Sequence, residues 1–163
     1  MKIPVILNEK KIVLDAEPEE SLLTVLRREK IYSPKCGCQE GHCGNCMILL
    51  DSAPVNSCLI PVGAVRDSKI ITLEYFKTFP EYQDIITGFS QAHIHLCGYC
   101  NAGKIFTAYS VLRKHFRPER EQLAETIHGL SVCCTDKDTL SNGILYAIAA
   151  KHQREGKKAN AKK

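Results

Sequence analysis

Four thiols in one short stretch limit what this chain can fold into more than any other feature. Cys38, Cys43 and Cys46 are spaced C-x4-C-x2-C, and eleven residues separate Cys46 from Cys58. Three of them lie in a glycine- and cysteine-rich loop over residues 33–46, and the fourth comes from a separate segment. The chain has nine cysteines in 163 residues. An odd count, with no export signal in Met1–Leu7, speaks against a disulfide framework and for a reducing, cytoplasmic compartment. Cysteine at this density in that setting points to metal.

The spacing is that of the plant-type ferredoxins, in which three ligands of a [2Fe–2S] cluster come from one loop and the fourth from a separate segment. Gly37, Gly41 and Gly44 free the loop to aim backbone N–H groups at the cluster sulfurs, which helps set its potential. Zinc is the rival occupant, since thiolate-rich sites suit both. Structural zinc sites more often pair two C-x2-C or C-x2-H knuckles. Cys36 and His42 read as loop residues outside the ligand set, Cys36 as a small loop thiol and His42 as exposed.

A second set follows. Cys97 and Cys100 are spaced C-x2-C, and Cys133 and Cys134 come after 32 intervening residues. On a helix, Cys97 and Cys100 would share a face, with Gly98 and Gly103 leaving room beside them. Adjacent residues cannot share a face on either regular element, so Cys133 and Cys134 can reach one site only through irregular backbone. His93 and His95 form an H-x-H just before Cys97, but no C-x-H partner motif accompanies them.

Around these motifs the hydrophobic pattern divides the chain. Ile3–Asn8, Lys11–Leu14, Met47–Leu50, Val55–Ile60 and Ile70–Leu73 read as strands, with a helix starting at the N-cap Ser21 and ending at Arg27 and Arg28. Beyond a break at Lys77–Pro80, apolar residues recur at helical spacing in four runs: Ile85–Ala92, Ile105–Phe116, Leu123–Ile127 behind Pro118, and Leu140–Ile148. The expected class is α+β: a small mixed domain over residues 1–77, then a helical bundle over 78–152.

The net charge of +4 is confined to one end, because residues 151–163 carry six basic groups and one acidic group. That stretch, 153–163 above all, reads as a flexible basic tail rather than a nucleic-acid arm, since no basic face interleaved with aromatics accompanies it. No apolar run has the length of a membrane span. No phosphate loop, dinucleotide fingerprint, serine elbow or zinc-protease helix is present.

Lys35-Cys36-Gly37-Cys38-Gln39-Glu40-Gly41-His42-Cys43-Gly44-Asn45-Cys46 and Val55-Asn56-Ser57-Cys58-Leu59 resemble the iron–sulfur subunit of the molybdenum hydroxylases, the xanthine dehydrogenase, aldehyde oxidoreductase and CO dehydrogenase family. Cys97-Gly98-Tyr99-Cys100 and Cys133-Cys134-Thr135 resemble its second motif pair, and the likeness runs to about residue 150. The resemblance implies a β-grasp ferredoxin domain followed by a four-helix bundle, each holding one [2Fe–2S] cluster. Cys38, Cys43, Cys46 and Cys58 would ligate the first, and Cys97, Cys100, Cys133 and Cys134 the second, with Gly37, Gly41, Gly44 and Gly98 around them. It implies an electron relay from a molybdopterin-binding large subunit to an FAD-binding medium subunit, most readily in a xanthine dehydrogenase-type complex. A free-standing ferredoxin-like carrier is the alternative.

Three departures mark the second motif. The family ends C-x-C, and a strict count from Cys100 puts Val132 on the third ligand, whereas a one-residue shift puts Cys133 there. Leu96 stands where the family has glutamine. Asn101-Ala102-Gly103-Lys104 replaces T-P-G-M, and Lys104 reads as a solvated helix residue or, less readily, a partner for a pterin phosphate.

Overall fold

The computed structural model describes residues 1–161. Strands β1 (Lys2–Leu7) and β2 (Lys10–Asp15) pair antiparallel, and alternation buries Ile3, Val5 and Leu7 while Lys2, Pro4 and Ile6 face outward. Asn8 and Glu9 make the turn with φ of 50° and 65°, the left-handed pair that matches the twist of a two-residue hairpin. Helix α1 (Leu22–Arg28) begins where Ser21 Oγ accepts from Thr24 N at 3.2 Å, as the sequence predicts. It lays Leu22, Val25 and Leu26 on Ile3, Leu14 and Ile48 of the sheet.

Strands β3 (Met47–Leu50), β4 (Ala53–Asn56) and β5 (Lys69–Ile71) complete a five-stranded sheet of order β2-β1-β5-β3-β4. β1 and β5 are the parallel pair in this ferredoxin-like mixed sheet. The strand expected over Val55–Ile60 stops at Asn56, and Ser57–Leu59 is a 3-10 turn. Ser57 ends it: both its N–H (3.4 Å) and its Oγ (2.7 Å) donate to Cys46 O, which bends Cys58 toward the cysteine loop.

The second half holds α2 (Leu73–Phe76), α3 (Pro80–Gln91), α4 (Asn101–Lys114), α5 (Arg120–Ile127) and α6 (Lys137–Ala161). The last four form the expected bundle. Pro118 stands before the helix it was expected to begin, because Glu119 caps α5 in a capping box with Gln122. α3 and α6 approach closely at Gly88, where a Cβ would lie 2.2 Å from Ala147 N and 2.5 Å from Gly143 O.

The break at Lys77–Pro80 divides the chain more sharply than it divides the packing. Phe76 already belongs to the bundle, its ring 5.1 Å from Phe106 and 4.9 Å from Tyr109. Leu49 and Ile71 of the sheet reach into the same core.

The stretch expected to be a flexible tail is helical as far as Ala161, and Lys162 and Lys163 lie outside the described residues. Arg154 explains the difference. Its guanidinium grips buried Asp84 of α3, with Nε 3.0 Å from each carboxylate oxygen and a terminal nitrogen 2.7 Å from one. His152 also stacks on Phe116 at 4.1 Å. Among the described residues, no helix is long and apolar enough to cross a membrane.

Candidate metal centres

The first cysteine loop runs from Lys35, whose N–H donates to Asn45 O at 2.9 Å and so closes it. Inside the closure, backbone N–H groups turn toward sulfur. Glu40 N and Cys43 N donate to Cys38 Sγ at 3.3 and 3.4 Å, and Cys38 N and Asn45 N to Cys43 Sγ at 3.4 and 3.5 Å. Donors aimed at thiolates are what an anionic iron–sulfur group needs. Gly41 and Gly44 hold φ of 78° and 77°, and a Cβ on Gly37 would stand 2.6 Å from Cys43 Sγ.

Burial pushes the Cys38 thiol up, but the N–H groups of Cys43, Glu40 and His42 outweigh it and bring Cys38 down to about 6. Cys58 goes the other way, to about 11, through burial and the neighbouring Cys46. The loop therefore offers one thiol already prepared as thiolate, the form that binds metal. From outside, the Glu74 carboxylate accepts from Tyr32 N (3.1 Å), Ser33 N (2.8 Å) and Ser33 Oγ, clamping the loop's entrance.

At the second site the structure brings all four sulfurs within 4.8 Å of one another. Cys97 Sγ lies 3.9 Å from Cys133 Sγ, and Cys100 Sγ 3.7 Å from Cys134 Sγ. Cys97 and Cys100 do not lie together on a helix, as the spacing had suggested. Cys100 is the N-cap of α4 and Cys97 precedes it in a turn where Gly98 has φ of 88°. The irregular backbone needed at the other end is present, since Cys134 has φ of 69°. That turn lets neighbouring cysteines face one point, as the one-residue shift requires, while Val132 points to solvent.

Hydrogen bonds from Tyr99 N–H and the Cys134 side chain bring Cys97 down to about 6, and its bond with Cys97 pushes Cys134 up to about 12. Each site thus prepares its first cysteine. Four thiols so arranged would accept a single zinc as well as an iron–sulfur group, so the donor set alone leaves the choice open.

The two loops touch. Ser131 N donates to Cys43 O at 3.3 Å, and Tyr99 Oη to Cys36 O at 2.8 Å. A Cβ on Gly103 would lie 2.7 Å from Gly44 O, so these glycines let two backbones meet. Next to Gly103 on α4 stands Lys104, expected in solvent or against a pterin but in fact 2% exposed, with Nζ 3.0 Å from Ser131 O. Cys36 and His42 are exposed and outside both sulfur sets, as are His93 and His95. Leu96 packs partly on the bundle core. Sequence reasoning passed over Glu74, Asp84 and Ser131, whose partners lie far along the chain.

Comparison with known proteins narrows the occupant. A model of 2Fe-2S iron-sulfur cluster binding domains matches residues 5–68, and one of [2Fe-2S] binding domains matches residues 72–145. The nicotinate dehydrogenase small FeS subunit of Eubacterium barkeri is 32% identical over 87% of this chain and 91% of its own length. Quinoline 2-oxidoreductase from Pseudomonas putida 86 contains a chain of the same fold, with a TM-score of 0.79 and 33% identity over 93% of this chain and 96% of that one. The xanthine dehydrogenase/oxidase of Rattus norvegicus is 28% identical over 84% of this chain, which spans 11% of that longer protein.

Proposed function

This chain belongs to the small [2Fe–2S] subunits of the molybdenum hydroxylase family, electron-transfer components of larger oxidoreductases, and from that membership we propose its ligands and its route. Cys38, Cys43, Cys46 and Cys58 hold one cluster, and Cys97, Cys100, Cys133 and Cys134 hold the other. When bound, each [2Fe–2S] group takes up and returns one electron. The bundle site receives electrons from a molybdopterin-binding large subunit, and the ferredoxin-type site hands them to an FAD-binding medium subunit.

The observation that carries this reading is the contact between the two cysteine loops. Ser131, two residues before Cys133, donates its N–H to the carbonyl of Cys43 itself. The seam packs Gly103 directly on Gly44 while the bundle site keeps an accessible edge, Cys97 and Cys134 being exposed. The chain's own work is to hold the thiolates, aim N–H groups at sulfur and keep the two sites adjacent. Anaerobically purified protein should be brown, carry about four irons per chain, and show two distinct EPR signals on reduction. Two irons with one signal, or a colourless zinc protein, would refute it. Co-purification with flavin- and molybdopterin-containing chains tests the partners.

For the substrate of the complex, the expected xanthine dehydrogenase type is one member of a wider class. Nicotinate, quinoline and xanthine, named for the three relatives above, are all nitrogen heteroaromatics, which supports hydroxylation of such a ring by the partner subunit. Turnover of aldehydes and of no N-heteroaromatic would overturn this reading without touching the ligand assignment.

A further inference from the structure

Lys104 stands on the first turn of α4 and is 2% exposed. Its Nζ makes one hydrogen bond, to Ser131 O at 3.0 Å, and it joins none of the ion pairs among the described residues. Asp136 lines the same small cavity, but its carboxylate is committed to Thr139 N at 2.8 Å and Thr139 Oγ1 at 2.7 Å. Lys137, also on the cavity wall, donates to His128 O at 2.9 Å. The bonds from Thr139 leave the Asp136 carboxylate charged, but it makes no ion pair with Lys104. A buried ammonium without a direct partner is strongly disfavoured, so the fold must place a further counter-charge near it.

We propose that the cluster of the bundle site is that counter-charge, and that Lys104 is a positioning residue that favours the cluster's reduced form. The inference rests on the reading of Cys97, Cys100, Cys133 and Cys134 as ligands. Four thiolates leave a bound [2Fe–2S] group net negative, and each electron it accepts adds one more negative charge. A fixed cation shielded from water lowers the cost of that addition. Lys104 is placed for this through Ser131, whose carbonyl it holds two residues before Cys133. The same Ser131 donates its N–H to Cys43 O at 3.3 Å, so the cation holds the residue that joins the two loops. Gly103, packed on Gly44, brings this turn of α4 against the first loop.

The test is an EPR-monitored redox titration of the full chain in complex with its co-purifying partners, with iron counted first. Lys104→Met removes both charge and hydrogen bond, Lys104→Gln keeps a donor without the charge, and Lys104→Arg keeps the charge. At a fixed ambient potential the reduced-to-oxidised ratio of the bundle cluster should fall at least tenfold in the Met and Gln variants, a shift of about 59 mV for one electron. The Arg variant should change it less than threefold. Unchanged ratios in loaded Met and Gln variants would overturn the proposal. So would a shift confined to the other cluster, or a Gln variant matching the unaltered protein, which would make the effect one of hydrogen bonding. Loss of the bundle cluster from the Met and Gln variants but not from Arg would support a required counter-charge, and loss from all three would reduce Lys104 to packing. An iron count of two in the unaltered protein would fail the ligand reading instead, and is seen before any titration.

Discussion

Glu74 holds the entrance of a loop some forty residues behind it in sequence. Burial pushes its carboxyl up, but hydrogen bonds from Ser33 and Thr72 prevail and hold it below the ordinary carboxylate value. A depressed folded value means the clamp's stabilisation is complete above the unfolded value of about 4.3 and is lost as pH falls through the folded one. Glu74→Gln should therefore be less stable at pH 7, by roughly 1 kcal/mol for so exposed a group. The gap to the unaltered protein should close below about pH 4. Urea midpoints of both proteins, compared at each pH so that acid effects on the clusters cancel, check the sign.

Gly37 makes a second residue-scale test. A methyl group there would stand 2.6 Å from Cys43 Sγ, a contact that the sulfur can relieve only by leaving its place. Gly37→Ala should halve the iron content and remove one EPR signal while the bundle signal persists. These glycines and cysteines were legible in the sequence because ligand spacing is local. Glu74, Ser131 and Lys104 were not, because an ordinary glutamate, serine or helix lysine gains its role from partners at least 27 residues away.

At the scale of elements, the difference between expectation and structure is largest in α6. A basic stretch with few apolar residues reads as solvated terminus, since the residue that orders it, Asp84, lies 70 positions earlier on another helix. Removing one partner of a buried ion pair costs roughly 3–5 kcal/mol, because the other charge stays desolvated. Arg154 is partly exposed while Asp84 is not, so Arg154→Ala should cost about 2–3 kcal/mol, read as a lower urea midpoint with an unchanged slope. A terminus that was merely frayed would tolerate the change. The 3-10 turn at Ser57–Leu59 teaches the same lesson over a shorter range. Its β-prone residues would extend β4, but the buried Ser57 bonds to Cys46 O take precedence and deliver Cys58 to the loop.

For the whole molecule, the decisive surfaces lie where the cysteine loops meet solvent. Leu59, directly after Cys58, is 57% exposed, and Val132, directly before Cys133, is 66% exposed. Single exposed apolar side chains are common on any protein. These two each adjoin a proposed ligand, where partner subunits must come close for electrons to pass. A carboxylate placed at either point would be buried unpaired on association, at a cost of roughly 2–5 kcal/mol. The two variants should fail differently if electrons enter at the bundle site and leave at the ferredoxin-type site. With Val132→Glu, substrate should reduce both clusters at least tenfold more slowly. With Leu59→Glu, cluster reduction should keep its rate while reduction of the flavin lags by a similar factor. Stopped-flow absorbance of the reconstituted complex resolves the two phases. Slowing of the same phase by both variants would mean that the two loops serve one partner, and the proposed direction of the relay would have to be abandoned.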